Sequence, residues 1–220
     1  MNQNPTPPAP DAFGTLRRFV RPRQPAERCD LCAVPLAPEH QHLLDPQTRQ
    51  LLCACDPCAL LFSSQEGTRY RRVSRRRQAL ADFRLTDGQW DALLIPVGMA
   101  FFFTNSAEAR VMALYPSPAG PTESLLPLEA WTEIVAENPV LAEMLPDVEA
   151  LLVNRVRGHQ DYYLVPIDEC YRLVGLIRVG WRGLSGGADV WREIDGFFAQ
   201  LQQRCGGPAA PAPERGDARA

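Results

Sequence analysis

Lysine is absent from this chain: all 23 basic side chains among its 220 residues are arginine. That absence excludes phosphate-loop lysines, Schiff-base lysines and Ser-Lys catalysis. Histidine is scarce, with three residues in all. A His-rich catalytic metal site is therefore out of reach, and a Ser-His-Asp or Cys-His arrangement has to draw on His159 or on His40 and His42. No Gly-x-Ser-x-Gly elbow or phosphate-cradling glycine loop accompanies them. Gly183-Leu-Ser185-Gly-Gly187 lacks the elbow's spacing and reads as a turn into a final helix. Long apolar runs are also missing, so no segment spans a bilayer. Residues 1–10 are polar and proline-rich, without the apolar stretch of a secretory signal, and Thr15-Leu-Arg-Arg18 continues into Arg21-Pro-Arg23 rather than an apolar core. These absences predict a cytoplasmic location.

What is present is cysteine, seven residues of it, and in a reducing compartment that points to metal rather than disulfides. Cys29-Asp-Leu-Cys32 and Cys55-Asp-Pro-Cys58 are two Cys-x-x-Cys pairs, each able to hold one ion from a tight turn. Between them, residues 41–44 and 49–53 read as two strands around Asp45-Pro-Gln-Thr48, where Asp bonds nearby backbone and Pro presets its dihedral. The hairpin brings both turns to one centre, so the expected ligands are Cys29, Cys32, Cys55 and Cys58. Zinc is the favoured ion and iron the alternative, since thiolate tetrahedra suit both. A rubredoxin-type iron site usually has Gly after each pair, whereas Ala33 and Ala59 stand here. Cys53 has three readings, as a substitute ligand, a reactive spare thiol or a small core residue, and the core reading is preferred. His40 and His42 read as solvated hairpin positions, with replacement of a thiol as the lesser reading.

Residues 1–26 and 207–220 have no apolar periodicity and are expected to be disordered tails. Residues 27–68 form the zinc-ribbon-like module, 69–85 an Arg-rich linker, and 86–206 an α+β domain. The linker carries Arg69, Arg71, Arg72, Arg75, Arg76 and Arg77 within nine positions. Residues 1–84 hold 13 Arg against 8 acidic residues and 85–220 hold 10 against 18, an asymmetry that raises nucleic acid as a partner. The ribbon lacks a recognition helix and interleaved aromatics, so a solvated or partner-facing patch is the default.

Beyond the linker, Thr86-Asp-Gly-Gln89 is a capping box, followed by a short buried face of Trp90, Leu93 and Leu94. Residues 97–104 and 110–115 read as paired strands, and Pro116-Ser-Pro-Ala-Gly120-Pro-Thr as a rigid surface loop. Leu128, Trp131, Ile134 and Val135 trace a helix, and Asn138-Pro139 caps a second. Residues 149–156 and 161–165 form a hairpin. Asp168 is then expected to cap a helix carrying Cys170, Tyr171, Val174 and Ile177, with Gly175 allowing close packing. Val190, Ile194, Phe197, Phe198 and Leu201 define a last amphipathic helix. The fold class expected is α+β, a four-stranded antiparallel sheet covered by helices after the small module.

The segments Glu27-Arg-Cys-Asp-Leu-Cys32, Leu51-Leu-Cys-Ala-Cys-Asp-Pro-Cys58, Arg69-Tyr-Arg-Arg-Val73 and Ala113-Leu-Tyr-Pro-Ser-Pro-Ala-Gly120 belong to a specific combination of motifs. Glu149-Ala-Leu-Leu-Val-Asn-Arg155, Val165-Pro-Ile-Asp-Glu-Cys-Tyr171, Val174-Gly-Leu-Ile-Arg178 and Trp181-Arg-Gly-Leu-Ser-Gly-Gly187 complete it. Over roughly residues 27–205 the chain resembles an uncharacterised family encoded beside the actinobacterial-type, high-affinity nickel-iron hydrogenases. The resemblance implies a hydrogenase-associated accessory factor, with hydrogenase subunits or maturation factors as partners. The resulting expectation is a non-enzymatic accessory protein; a rubredoxin-like electron carrier and an Arg-rich nucleic-acid-binding regulator are the alternatives. Asp161, Asp168, Glu169 and His159 are the acid and base groups an enzyme would use. They read as turn solvation and helix capping instead.

Overall fold

Residues 99–105 and 149–154 are almost wholly apolar, so both faces of any sheet they enter must be covered. The computed structural model, which describes residues 27–63, 68–125, 127–183 and 185–206, shows how. Strands β1 (Gln41–Asp45), β2 (Gln50–Ala54) and β3 (Arg71–Arg72) make a small sheet in the order β2-β1-β3. Strands β4 (Gln78–Ala79), β5 (Met99–Asn105), β6 (Arg110–Ser117), β7 (Gly120–Ser124), β8 (Glu149–Asn154) and β9 (Asp161–Pro166) make a larger one, ordered β4-β9-β8-β5-β6-β7. Every neighbouring pair is antiparallel. The two expected tails, 1–26 and 207–220, lie outside the described residues.

Alternation along the two central strands divides the core into two layers. On one face Phe101, Phe103, Leu152, Tyr163 and Val165 pack against helices α4 (Ile167–Gly180) and α5 (Gly187–Cys205). On the other, Ala100, Phe102, Leu151, Val153 and Leu164 meet Trp131 and Ile134 of α3 (Leu128–Glu137). Phe102 stacks on Trp131 with ring centroids 5.0 Å apart. Full burial of such a side chain contributes about 1.5–3 kcal/mol, so these layers dominate the stability. The first layer also takes in Leu44 of β1 and Val73, which weld the cysteine-bearing module to the main sheet.

The sheet has six strands rather than the four expected, which are β5, β6, β8 and β9. The Pro-rich stretch is no loop: β6 continues to Ser117 and the chain returns as β7, with Ser117 opposite Gly120 and Pro116 opposite Pro121. Pro121 is on the edge strand β7, whose outer amides need no partner, Pro116 lies beyond the last β5–β6 pair, Phe101 opposite Leu114, and Gly120, at φ 120°, supplies the turn conformation. The Arg-rich segment 69–85 likewise does more than link, since it gives β3 to one sheet and β4 to the other.

Among the helices, Thr86 caps α2 (Asp87–Ala92) through the reciprocal box with Gln89. Leu93 is buried, but Leu94, with φ 55°, turns outward and is exposed, contrary to the expected face. The second short helix is a 3-10 turn, Pro139–Glu143, that Asn138 does not cap. Its buried amide instead accepts from the Arg84 N–H and donates to the carbonyls of Arg84 and Ile134, each at 2.8 Å. Asp168 does not cap α4 either: Pro166 stands at the cap and Asp168 lies in the first turn, aimed at another element. Gly175 faces open space, and the glycine that lets α4 and α5 approach is Gly180, where a Cβ would lie 3.0 Å from Val190 Cγ2. No helix among the described residues is long and apolar enough to cross a membrane.

Candidate metal centre

The two cysteine pairs come from unlike elements. Cys29 and Cys32 occupy a knuckle in which the Ala33 N–H donates to the Cys29 carbonyl at 2.7 Å and the Cys29 N–H to the Val34 carbonyl at 2.9 Å. Closing it puts Ala33 at φ 62°, a left-handed conformation usually left to glycine. The lack of glycine noted from the sequence therefore does not keep the chain from making this turn. Cys55 follows β2, and Cys58 lies in the first turns of α1 (Asp56–Ser63), where the Ala59 N–H donates to the Cys55 carbonyl at 2.8 Å. The second pair thus opens a helix instead of sitting on a ribbon turn, because Asp56 and Pro57 suit a first helical turn.

Residues inside the motifs hold the parts in register. The Asp30 carboxylate accepts from the Cys53 N–H at 2.7 Å, and the Asp30 N–H donates to the Cys53 carbonyl at 2.8 Å, locking the knuckle to β2. Buried Gln41 donates to the Asp56 carboxylate at 2.9 Å and accepts from Arg72 at 3.0 Å, fixing the start of α1 to β1 and β3. Neither supporting role was legible beforehand, since the partners lie 15 to 31 residues apart.

The Sγ atoms of Cys29, Cys32, Cys55 and Cys58 all lie within 4.8 Å of one another. Those of Cys32 and Cys55 are 3.7 Å apart, against about 3.8 Å for the edge of a tetrahedron with metal–sulfur bonds of about 2.3 Å. Cys29 and Cys58 are buried with Leu43, Ala54 and Ala59, while Cys32 faces solvent. Burial pushes the Cys29 thiol up, but amides of Cys55, Leu31 and Cys32 outweigh it and bring the group down to about 6. Cys58 is pushed up to about 12 by burial and by hydrogen bonding among the neighbouring thiols. Four sulfurs so close cannot share negative charge without a cation, and this donor set fits a thiolate-binding metal ion.

The other expected site residues are placed as follows. Cys53 is grouped not with the four cysteines but with His40 and His42. Within the Arg run, Arg69 pairs with buried Asp45 at 2.7 Å, Arg76 reaches Glu143 at 3.4 Å and Arg77 holds buried Glu169 at 2.9 Å. Arg71 and Arg75 are exposed. Glu169 also receives Arg172 and Arg204, Asp168 meets His42, and Asp161 meets His159 at 3.3 Å. Asp161 and His159 thus meet each other, while Asp168 and Glu169 serve separate partners, and the four do not form one group. Cys170 is fully buried in the main core, and burial pushes its thiol well up. Cys205 is half-buried beside that core.

A knuckle, a hairpin and a helix that gather four sulfurs, packed on a helix-flanked antiparallel sheet, define an α+β protein with a candidate four-thiolate metal centre. The chain belongs to a family of unknown function, DUF5947, whose profile matches residues 28–205. No curated protein and no solved structure matches it.

Proposed function

We propose that the protein is a non-enzymatic, metal-binding accessory factor for nickel-iron hydrogenase assembly or function, with zinc held by Cys29, Cys32, Cys55 and Cys58. The observation that carries the metal-binding part is the convergence of those four sulfurs within 4.8 Å. A full set of four protein ligands leaves no open position for substrate, which is the pattern of structural rather than catalytic zinc. The ion would shape a platform: exposed Val34 on the knuckle and exposed Leu61 and Phe62 on α1 stand on the elements that carry the ligands. Exposed apolar side chains on these elements suit a protein partner. The hydrogenase association rests on the motif resemblance described above, and iron is the alternative filling.

Purification from the native host under anaerobic conditions tests both parts. The expected product is colourless, contains zinc of which the Cys29→Ser and Cys58→Ser variants each lose the equivalent held by the four cysteines, and co-elutes with hydrogenase subunits or maturation factors. A red protein that bleaches on reduction would replace zinc with iron. Deletion of the gene with no effect on hydrogenase activity or cofactor insertion would remove the proposed association.

A further inference from the structure

Beside the four-cysteine centre lies a second group of ligand-type side chains with no ligand in common with it. His42 of β1 stands opposite Cys53 of β2 in the strand register. His40, two residues earlier, brings its ring centroid to 4.7 Å from that of His42. One ring nitrogen from each histidine and the Cys53 Sγ all lie within 4.8 Å of one another.

The hydrogen bonds decide which nitrogens are free. His42 Nδ1 lies 2.7 Å from the Asp168 carboxylate, and His40 Nδ1 lies 3.0 Å from the Ala37 carbonyl. Neither acceptor can donate a proton, so both imidazoles carry hydrogen on Nδ1, and the nitrogen each leaves for a metal is Nε2, whose lone pair is free in the neutral ring. The His40 side chain is only 7% exposed, yet its Nε2 has no hydrogen-bond partner. A buried acceptor left without a partner is costly unless something else takes the lone pair. A carboxylate or carbonyl behind each metal-binding imidazole is the usual support for such a ligand. Cys53 is equally well prepared, since both its backbone N–H and its carbonyl are bonded to Asp30.

We propose that His40, His42 and Cys53 form a second zinc site, with two Nε2 atoms and one thiolate as ligands and Asp168 as the residue that orients His42. Two imidazoles and a thiolate suit borderline-soft late first-row dications. Three protein ligands leave a fourth position open, unlike the closed four-thiolate centre. The site also spans the fold, because Asp168 belongs to α4 of the main domain, 126 residues from His42.

The test is a Zn2+ titration of the reduced full-length protein, followed by native mass spectrometry and repeated with Co2+ as a spectroscopic probe. Wild type is expected to saturate at about two equivalents. His42→Gln and Cys53→Ser each lose one, and Cys58→Ser loses the other. Asp168→Asn is expected to keep the stoichiometry while weakening the second equivalent by about 10–100-fold. Added cyanide should alter the Co2+ spectrum of wild type and of Cys58→Ser but not that of His42→Gln. Wild type saturating at one equivalent that His42→Gln retains would overturn the second site and leave the four-cysteine reading standing. A single equivalent lost in His42→Gln and kept in Cys58→Ser would support the second site and overturn the other. Near-ultraviolet circular dichroism of each variant confirms that the fold is intact, and the wild-type stoichiometry decides the matter should one variant unfold.

Discussion

Asp45 shows how much one side chain can organise. It ends β1, accepts from the amides of Gln47 and Thr48 at 3.0 and 3.4 Å, and takes Arg69 at 2.7 Å, all while buried. Burial pushes its carboxyl up, but the Arg69 guanidinium and the two amides outweigh this and hold it below the usual carboxylate range. A folded-state value below the unfolded one contributes stability that is fully present above the unfolded pKa, about 4. That contribution is lost as the pH falls through the lowered folded value. Asp45→Asn is therefore expected to be about 1–3 kcal/mol less stable at pH 7, and the gap from wild type should close below about pH 4. Urea midpoints for both proteins across that range check it, and the comparison cancels acid loss of metal because both keep the cysteines. Glu169 is the other such residue: buried, it gathers Arg77, Arg172 and Arg204 from the Arg run, α4 and α5. Glu169→Ala is expected to cost about 2–3 kcal/mol in chemical denaturation, at the lower end for a broken buried pair because the arginines can reach water.

At the scale of elements, the knuckle and the edge hairpin are where local preference and tertiary demand diverge. Ala33 pays a steric cost at φ 62° that glycine would not. Ala33→Gly is expected to raise stability by up to about 1 kcal/mol, read as a higher melting temperature with unchanged metal stoichiometry. The hairpin β6–β7 shows the opposite relation, since Pro116, Pro118 and Pro121 argue for a loop, yet two of them sit in strand register at a sheet edge. The capping box at Thr86 needed no tertiary help, because donor and acceptor are three residues apart. The helix start at α4 did need it: the Asp168 carboxylate turns away from the local amides to His42, a partner that only packing brings within reach.

At the scale of the molecule, the cysteine-bearing module is no appendage. Leu44 and Val73 lie in the same apolar layer as Phe101 and the helices α4 and α5, and the Arg segment between the module and the main domain gives a strand to each sheet. Loss of the metal proposed for the four cysteines should accordingly be felt throughout. A strong chelator is expected to lower the melting temperature of the whole chain in a single shifted transition, as followed by calorimetry and near-ultraviolet circular dichroism. Two separated transitions, with the main one unmoved, would show that the module unfolds alone. The charge asymmetry between the two halves of the chain is partly offset by ion pairs between them, Arg77 with buried Glu169 and Arg76 with exposed Glu143. Of the six arginines of the run, Arg69 and Arg77 thus pair with buried acids, whereas Arg71, Arg72 and Arg75 are exposed.

The sequence by itself determined whatever depends on spacing of a few residues: two Cys-x-x-Cys pairs around a hairpin, the capping box, the period of α5 and the apolar runs of β5 and β8. Those features are written in neighbouring positions, and short-range sterics and alternation enforce them wherever the chain goes. Only the tertiary structure decided that β4 and β7 complete the sheet, that Arg69 and Arg77 meet buried acids, and that His40, His42 and Cys53 meet with Asp168 behind them. Such contacts join residues up to 126 positions apart, and no local preference encodes a partner that the chain reaches only by folding.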